Sequence, residues 1–466
     1  MTELTTTLGA ANRRAVFAVT ALGSFMASLD LSIVNVAFPS LEHSFHHDTT
    51  ATLSWIITAY TIVFGSLLVI AGRTADRLGA RRLFLTGLAI FGLGSLACGV
   101  APDVALLIVG RVVQGVGAAA VLPSSLGLLL AAFPSSRRSE TVALWGGIGA
   151  LAVATGPSIG AALISGFGWR AAFFVNLPVV VVALSCGPRV LAKTARSERS
   201  SYPDYPGAVL LAVSLALLVL GISQGPSWGW SSLRIMSIFA GAVVALCIFL
   251  FRSSRHQSPV LDLTLFRARN FSAANTATVV YAMGFFAMLL GNILFLTSVW
   301  HYPILEAGLA VTPGPLVVAV VSGPAGRITA RVGFRRVLLV GFSVFALGLG
   351  WYALRVGAHP DYAAVWLPGT LVIGLGIGLT FPILSAAAVS SLHPERFSVG
   401  SAVNQTARQI GGSVGVAVLV AILGTPASAA IDLTRFQHVW IFCALAAVTA
   451  GVVSTTVRAH LSPAER

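Results

Sequence analysis

The chain has 466 residues, 56% of them hydrophobic and only 9% charged, with a mean hydropathy of +0.89. A soluble domain carries about 25% charged residues, so this composition excludes a soluble globule and puts the chain in a bilayer. The net charge of +14 would suggest nucleic acid in a soluble protein, but here the basic residues are first a topology signal, and no nucleic-acid partner is expected.

Arg13 and Arg14 precede an apolar run at 15–37. The run is too long for the hydrophobic region of a signal peptide, about 7–15 residues, and it contains Asp30 and Asn35, so it reads as a first spanning helix. At about 20 apolar residues per span, further runs follow near 53–72, 82–101, 104–130, 141–165, 171–191, 206–225, 233–251, 272–299, 305–326, 335–355, 362–388, 399–424 and 437–457. Fourteen helices are therefore predicted. The four cysteines, Cys98, Cys186, Cys247 and Cys443, all lie in such runs without metal-ligand spacing, and they are expected to pack as small hydrophobes.

Loop charge tests the helix count. With both termini cytoplasmic, basic residues should concentrate in alternate loops. Of the 29 Lys and Arg residues, 23 fall in the inner set, four (Arg170, Arg234, Arg355, Arg435) fall outside, and Arg111 and Arg408 lie within spans. A missed helix would invert this bias downstream of it.

The sequence GRTADRLGARR, residues 72–82, returns as GRITARVGFRR at 326–336, an offset of 254, but Asp76 is answered by Ala330. GVGAAAVLP from Gly115 pairs with GLGIGLTFP from Gly374, and GPSIG from Gly156 with GGSVG from Gly411. Helices 2–5 thus match helices 10–13 in order and orientation, a parallel repeat about an axis along the membrane normal. The expected fold class is an all-α integral membrane protein with a six-helix half at 1–199, an inserted transmembrane hairpin at 200–256 and a second six-helix half at 257–466.

Polar residues inside the spans are the functional candidates, because ionisable groups there are costly and usually paired or facing a polar cavity. Asp30 and Arg111 each lie seven residues from the predicted outer end of their helices, roughly 10 Å at about 1.5 Å per residue. Matched depth makes an ion pair. Burial disfavours a charged carboxylate and a neighbouring guanidinium favours it, so such a pair is a place where a proton can be exchanged. A static structural pair is the alternative. Gln114 shares a helix face with Arg111, and Asn35, Asn404 and Arg408 are the other candidates for lining a polar cavity, with helix-to-helix hydrogen bonding as the alternative. Gly149, Gly156, Pro157 and Gly160 combine close helix approach with a helix break. No GxxxxGK phosphate loop is present, no metal site is indicated, and no cofactor is expected.

These motifs carry a family resemblance. LDLSIVNVAFPSL from Leu29, the stretch at 72–82, GRVVQGVGAAAVLPSSL from Gly110, ATGPSIGAAL with WRAAFFVNLP, and NQTARQIGGSVG from Asn404 together resemble the major facilitator superfamily. Within it the chain is similar to the fourteen-helix drug:proton antiporters, and among these to actinomycete antibiotic-resistance exporters of the methylenomycin-resistance type. The resemblance implies proton coupling at Asp30 and Arg111, and gating by Gly72, Asp76, Arg77, Gly79 and Arg81. In that reading Asp76 sits at the seam between the halves, near the positive N-terminus of helix 13, as a one-sided latch. It also implies an antiporter motif at Gly149, Gly156, Pro157 and Gly160, although Ala161 and Ala162 follow where the family pattern ends on two glycines.

The expected function is proton-coupled export of a lipophilic or cationic small molecule by alternating access in a bacterial inner membrane. The expected partners are substrate, protons and membrane lipid, and the expected working unit is a monomer. A proton-coupled symporter for nutrient uptake is the first alternative, and a membrane sensor or enzyme on a transporter scaffold is an alternative of another class.

Overall fold

In lipid every backbone N–H and C=O must be satisfied within its own segment, and apolar runs of this length do so as helices. The structure, a computed structural model, describes residues 10–133, 138–192, 202–392, 396–424 and 433–457. The long helices are α1 (Ala10–Ser44), α2 (Trp55–Leu78), α3 (Ala80–Val100), α4 (Val104–Ala132), α5 (Arg138–Phe167), α6 (Asn176–Val190) and α7 (Tyr205–Trp228). They continue as α8 (Leu233–Arg255), α9 (Arg269–Ser298), α10 (Pro313–Val332), α11 (Phe334–Arg355), α12 (Leu367–Val389), α13 (Phe397–Leu423) and α14 (Leu433–Ser454). Short turns at Thr50–Leu53, Ala171–Phe174, Ile304–Val311 and Tyr362–Trp366 lead into α2, α6, α10 and α12. Thirteen spans among the described residues are long and apolar enough to cross a membrane. The helix α5, several of whose side chains lie outside the described residues, is a further helix of 30 residues.

Polar residues start these helices where the chain turns. Asp103 accepts from the Leu106 amide at 2.8 Å at the head of α4, and Ser232 accepts from Ile235 at 3.2 Å at the head of α8, each satisfying a donor that the helix itself cannot. Several helices run beyond their apolar cores: α1 continues through Glu42 to Ser44, and α2 through Arg77 to Leu78.

This extension corrects one expectation. The runs predicted near 53–72 and 82–101 are not separated by a connection of that length: α2 and α3 meet at Gly79 alone. Gly79 has φ 93, and its repeat partner Gly333, between α10 and α11, has φ 85. Only glycine adopts that backbone without strain, so the glycine kept in both copies is the hinge on which each hairpin folds.

The repeat is visible in the packing. α1 touches α4, α5 and α6, while α9 touches α12, α13 and α14; α3 packs on α4 and α6, while α11 packs on α12 and α14. Details coincide as well. A Cβ added at Gly117 would lie 2.5 Å from the Phe91 amide nitrogen, and one at Gly376 would lie 2.6 Å from that of Phe345. A Cβ at Gly115 would lie 3.0 Å from the Tyr60 carbonyl oxygen, and one at Gly374 2.5 Å from that of Gly314. The glycines of the repeated GVG and GLG segments are therefore points where backbones touch, as in small-residue membrane packing.

The halves meet along two flanking seams, α2 with α13 and α5 with α10 and the Ile304–Val311 turn, and also where α1 packs on α9. On the first, Thr61 and Ser413 share a hydrogen bond of 2.7 Å and Thr406 donates to the Gly65 carbonyl at 2.8 Å. On the second, the contacts lie toward the arginine-poor face, where Ser158 and Thr312 share a 2.6 Å hydrogen bond and Gly308 packs on Pro157 and Ala161. One buried apolar cluster crosses between the halves here, including Ile33, Phe38 and Trp169 from the first and Leu290, Ile293 and Trp300 from the second. The arginine-poor side is closed, apart from a cleft of about 530 Å³ lined by residues that include His43, Trp169 and Tyr302.

The α7–α8 hairpin sits against a helix of each half. Leu211, Leu215 and Val219 pack with Ile62 and Ile70 of α2 and with Ala417 of α13. Its arginine-rich end is pinned by polar contacts. Buried Asp204 caps α7 by accepting from Gly207 at 3.0 Å and accepts from Arg252 Nε at 2.5 Å. Tyr205 bonds Thr74 at 3.1 Å, and the Arg77 guanidinium lies 3.3 Å from the centre of the Tyr202 ring. Asp204→Ala is expected to destabilise the hairpin by about 1–2 kcal/mol through the cap alone. The check is the melting temperature of the purified protein, which should fall less in Asp204→Asn, where a capping oxygen is kept without the charge, than in Asp204→Ala; equal losses in the two variants would remove the capping role.

Candidate functional site

The N-terminal half contains a buried polar network inside an apolar bundle. Asp30 on α1 is fully buried and Arg111 on α4 is 1% exposed. Arg111 Nη1 donates to Asp30 Oδ2 at 2.6 Å and to Gln114 Oε1 at 2.8 Å, while Nε donates to the Ile56 carbonyl at 2.8 Å. Gln114 is one turn along α4, so its amide reaches the same carboxylate: Nε2 donates to Asp30 Oδ1 at 3.2 Å and to Ser95 Oγ at 3.0 Å. Asn176, at the head of α6, donates to Asp30 Oδ1 at 3.3 Å and to Ser95 Oγ at 3.0 Å. The Tyr60 ring lies 4.1 Å from the guanidinium carbon, so the cation has an aromatic face as well as an anion.

Both carboxylate oxygens are thus engaged, one by a cation and one by two amides. The amides and the hydroxyl can reorient when the carboxylate changes, whereas the guanidinium stays charged. Protonating Asp30 would remove the anion from a buried pair and leave Arg111 without its counter-charge, a change large enough to drive rearrangement. The arrangement therefore ties α1, α4 and α6 together through one buried carboxylate.

The other sequence candidates fall into separate groups. Asn35 is buried but donates to the Leu31 carbonyl of its own helix at 2.7 Å, and it does not join the Asp30 network. Asn404 and Arg408 belong to the C-terminal half. Asn404 donates to Asn275 Oδ1 at 3.2 Å and Thr278 Oγ1 at 3.0 Å and accepts from Ser385 at 3.0 Å, while Arg408 Nη2 donates to the same Ser385 hydroxyl at 3.2 Å. On α5, a Cβ at Gly156 would meet the Ser32 side chain at 2.5 Å and one at Gly160 that of Ile33 at 3.2 Å, while Gly149 faces Ser28 more loosely at 3.5 Å. Pro157 lies at the contact with Gly308.

Of the gating candidates, Gly72 is half-buried near Pro123, Arg77 lies on Tyr202, Gly79 forms the hinge, and Arg81 Nη2 donates to the Pro188 carbonyl at 2.6 Å. Asp76 is in α2, but its side chain lies outside the described residues.

Sequence reasoning missed Asn176 and Ser95. Asn176 had a signal, since it is a buried amide in an otherwise apolar stretch, but nothing in the sequence says that the head of α6 turns toward α1. Ser95 had none, because a lone serine in a spanning helix normally bonds its own backbone.

Two matching sets of helices, oriented alike about a central seam, with an ion pair buried in one of them, are the parallel-repeat architecture of a membrane carrier. The chain belongs to the Major Facilitator Superfamily, whose family pattern matches residues 20–416. It is 34% identical to the multidrug resistance protein Stp of Mycobacterium tuberculosis over 89% of this chain and 76% of that protein. It is likewise 34% identical to a methylenomycin A resistance protein of Streptomyces coelicolor, over 86% of this chain and 84% of that one. A tetracenomycin C resistance and export protein of Streptomyces glaucescens is 33% identical over 87% and 75%. A solved structure of a bacterial homologue of the human drug peptide transporters PepT1 and PepT2 shares the fold, with a TM-score of 0.65, 16% identity and coverage of 96% and 98%. The protein is therefore a bacterial plasma-membrane transporter of small molecules. The sensor or enzyme reading is set aside, because this is a family of transporters.

Proposed function

We propose that the protein is a proton-coupled antiporter that exports a lipophilic or cationic small molecule, of the drug or antibiotic class, by alternating access. The observation that carries this reading is the buried Asp30–Arg111 pair, in a chain similar to named resistance and export proteins. Residues 1–199 and 257–466 act as rocking halves, 200–256 is the inserted hairpin, and both termini lie in the cytoplasm on the arginine-rich side. The working unit is a monomer.

In the cycle, a proton reaching Asp30 from outside loosens its bond to Arg111 and favours release of substrate; loss of that proton toward the cytoplasm restores the pair and the binding form. Gly72, Asp76, Arg77, Gly79 and Arg81 gate the cytoplasmic side, and the α5 face at Gly149, Gly156, Pro157 and Gly160 guides closure against α1 and the C-terminal half. One charge crossing about 100 mV supplies about 2.3 kcal/mol, enough to bias such a two-state element by more than tenfold.

The test uses inverted membrane vesicles with the full chain and a fluorescent lipophilic probe. Imposing an inside-acid gradient should drive probe uptake, and collapsing it with a protonophore should stop that uptake. Uptake indifferent to the gradient overturns proton coupling, and gradient-driven movement in the opposite direction favours the symporter.

A further inference from the structure

We infer that the C-terminal half holds an anion-accepting subsite, built on Arg408 and the Phe381 ring, that selects planar aromatic substrates bearing a carboxylate or phenolate over aromatic cations. The inference narrows the export reading to its lipophilic arm, away from cations, and rests on its premise that substrate moves through the cleft between the halves.

Arg408 is at mid-span in α13 and is half-buried. A guanidinium at that depth faces protein or a polar cavity rather than hydrocarbon. Two faces of α13 are already occupied: Thr406 and Ser413 bond α2, and Gly411 and Gly415 pack on α9. Arg408 points instead toward α12, over the Phe381 ring at 4.3 Å and beside half-buried Ser385.

Its hydrogen bonding is incomplete. Arginine has five N–H donors, and among the described residues this one is offered the neutral Ser385 hydroxyl alone, whose own proton is directed at Asn404. Nε is buried and has no partner. Among the described residues no carboxylate pairs with Arg408, and the ionisable group near enough to act on it is the buried Tyr281 phenol, which accepts from Thr380. The buried acids are committed elsewhere, Asp30 to Arg111 and Asp204 to Arg252. Among the described residues Arg408 is therefore a mid-span cation without a counter-charge. The equivalent position in the other repeat is Val153, so only the C-terminal half has this feature.

An aromatic wall adjoins it. Phe381 packs on Tyr281 at 4.8 Å and on half-buried Phe285 at 4.7 Å between ring centres. A planar ring lying on Phe285 and Phe381 would bring a peripheral oxygen anion to the planar guanidinium fork, which recognises carboxylates through two parallel hydrogen bonds. The same position would bring an aromatic cation against a like charge.

Binding of 1-pyrenebutyrate and 1-pyrenebutylammonium, which share a ring and differ in charge, to the purified full chain tests this. Tryptophan quenching should show the carboxylate bound at least about tenfold more tightly, a difference of about 1.4 kcal/mol. Arg408→Gln should abolish the preference. Ser385→Asp, which keeps the arginine and supplies the missing acid, should abolish or reverse it, and this keeps the test decisive if the glutamine variant does not fold. Equal affinities in the unaltered protein, or a preference unchanged by Ser385→Asp, overturn the subsite. Transport in proteoliposomes separates the two readings. Arg408-dependent binding without proton-driven export of either probe removes the export reading alone, whereas proton-driven export that favours the ammonium probe removes the subsite alone.

Discussion

Asp30→Asn, which mimics the protonated carboxyl, is expected to weaken substrate binding and to reduce proton-driven transport by at least about 100-fold, equivalent to about 2.7 kcal/mol of lost coupling. Asparagine is nearly isosteric with aspartate but has one acceptor where the carboxylate has two. Its oxygen can still accept from Arg111, but its NH2 group then faces the amide donors of Gln114 and Asn176, which now address Asp30 Oδ1. Removing one partner of a buried pair is destabilising by about 3–5 kcal/mol in general, so the variant should also melt earlier. Arg111→Gln combined with Asp30→Asn should recover part of that stability, because no uncompensated charge remains, without recovering transport. Proteoliposome uptake under an imposed pH gradient, compared with probe binding in detergent, reads both quantities. Undiminished gradient-driven transport in Asp30→Asn would reduce the pair to a structural element.

A disulfide between cysteines introduced by Ser158→Cys and Thr312→Cys is expected to stop turnover almost completely, and reduction should restore it. The native hydroxyls are 2.6 Å apart across the α5–α10 seam, so this state brings the side chains within bonding reach, and the bond would hold the arginine-poor side shut. Alternating access requires that side to open. Cys186 and Cys247 are exposed and would be replaced beforehand, while Cys98 and Cys443 are buried. Gly308→Val should act in the opposite sense. An added Cβ would lie 2.7 Å from the Pro157 carbonyl oxygen, so closure is obstructed, cross-linking slows, and transport falls by about tenfold or more, comparable to about 1.4 kcal/mol of lost closed state. Oxidised protein that still transports at its reduced rate would show that this seam does not open during the cycle.

Much of this was legible because the bilayer simplifies the code. Spans about 20 residues long and arginines gathered in alternate loops fix the order of helices, and a carboxylate and a guanidinium at equal depth on neighbouring helices have little choice of partner. Helix ends were less legible, since Glu42 and Arg77 continue their helices into the polar interface where hydropathy no longer distinguishes helix from loop. Rotations about helix axes were not legible. Whether Asn35 faces the network or its own backbone, and whether Asn176 meets Asp30, depends on which side of each helix is turned inward, and that is set by small-residue contacts such as Gly94 against Gln114. The Ser385 hydroxyl shared between Asn404 and Arg408 was hidden for the same reason.

The hairpin has a consequence for how a fat-soluble molecule can arrive. It covers the α2–α13 seam by packing on both helices, while among the described residues no element covers the α5–α10 seam in the same way. The two flanks of an otherwise near-symmetric molecule therefore differ in their openness to lipid. A solute dissolved in the bilayer meets a wall on one flank and, on the other, a seam that no described element covers.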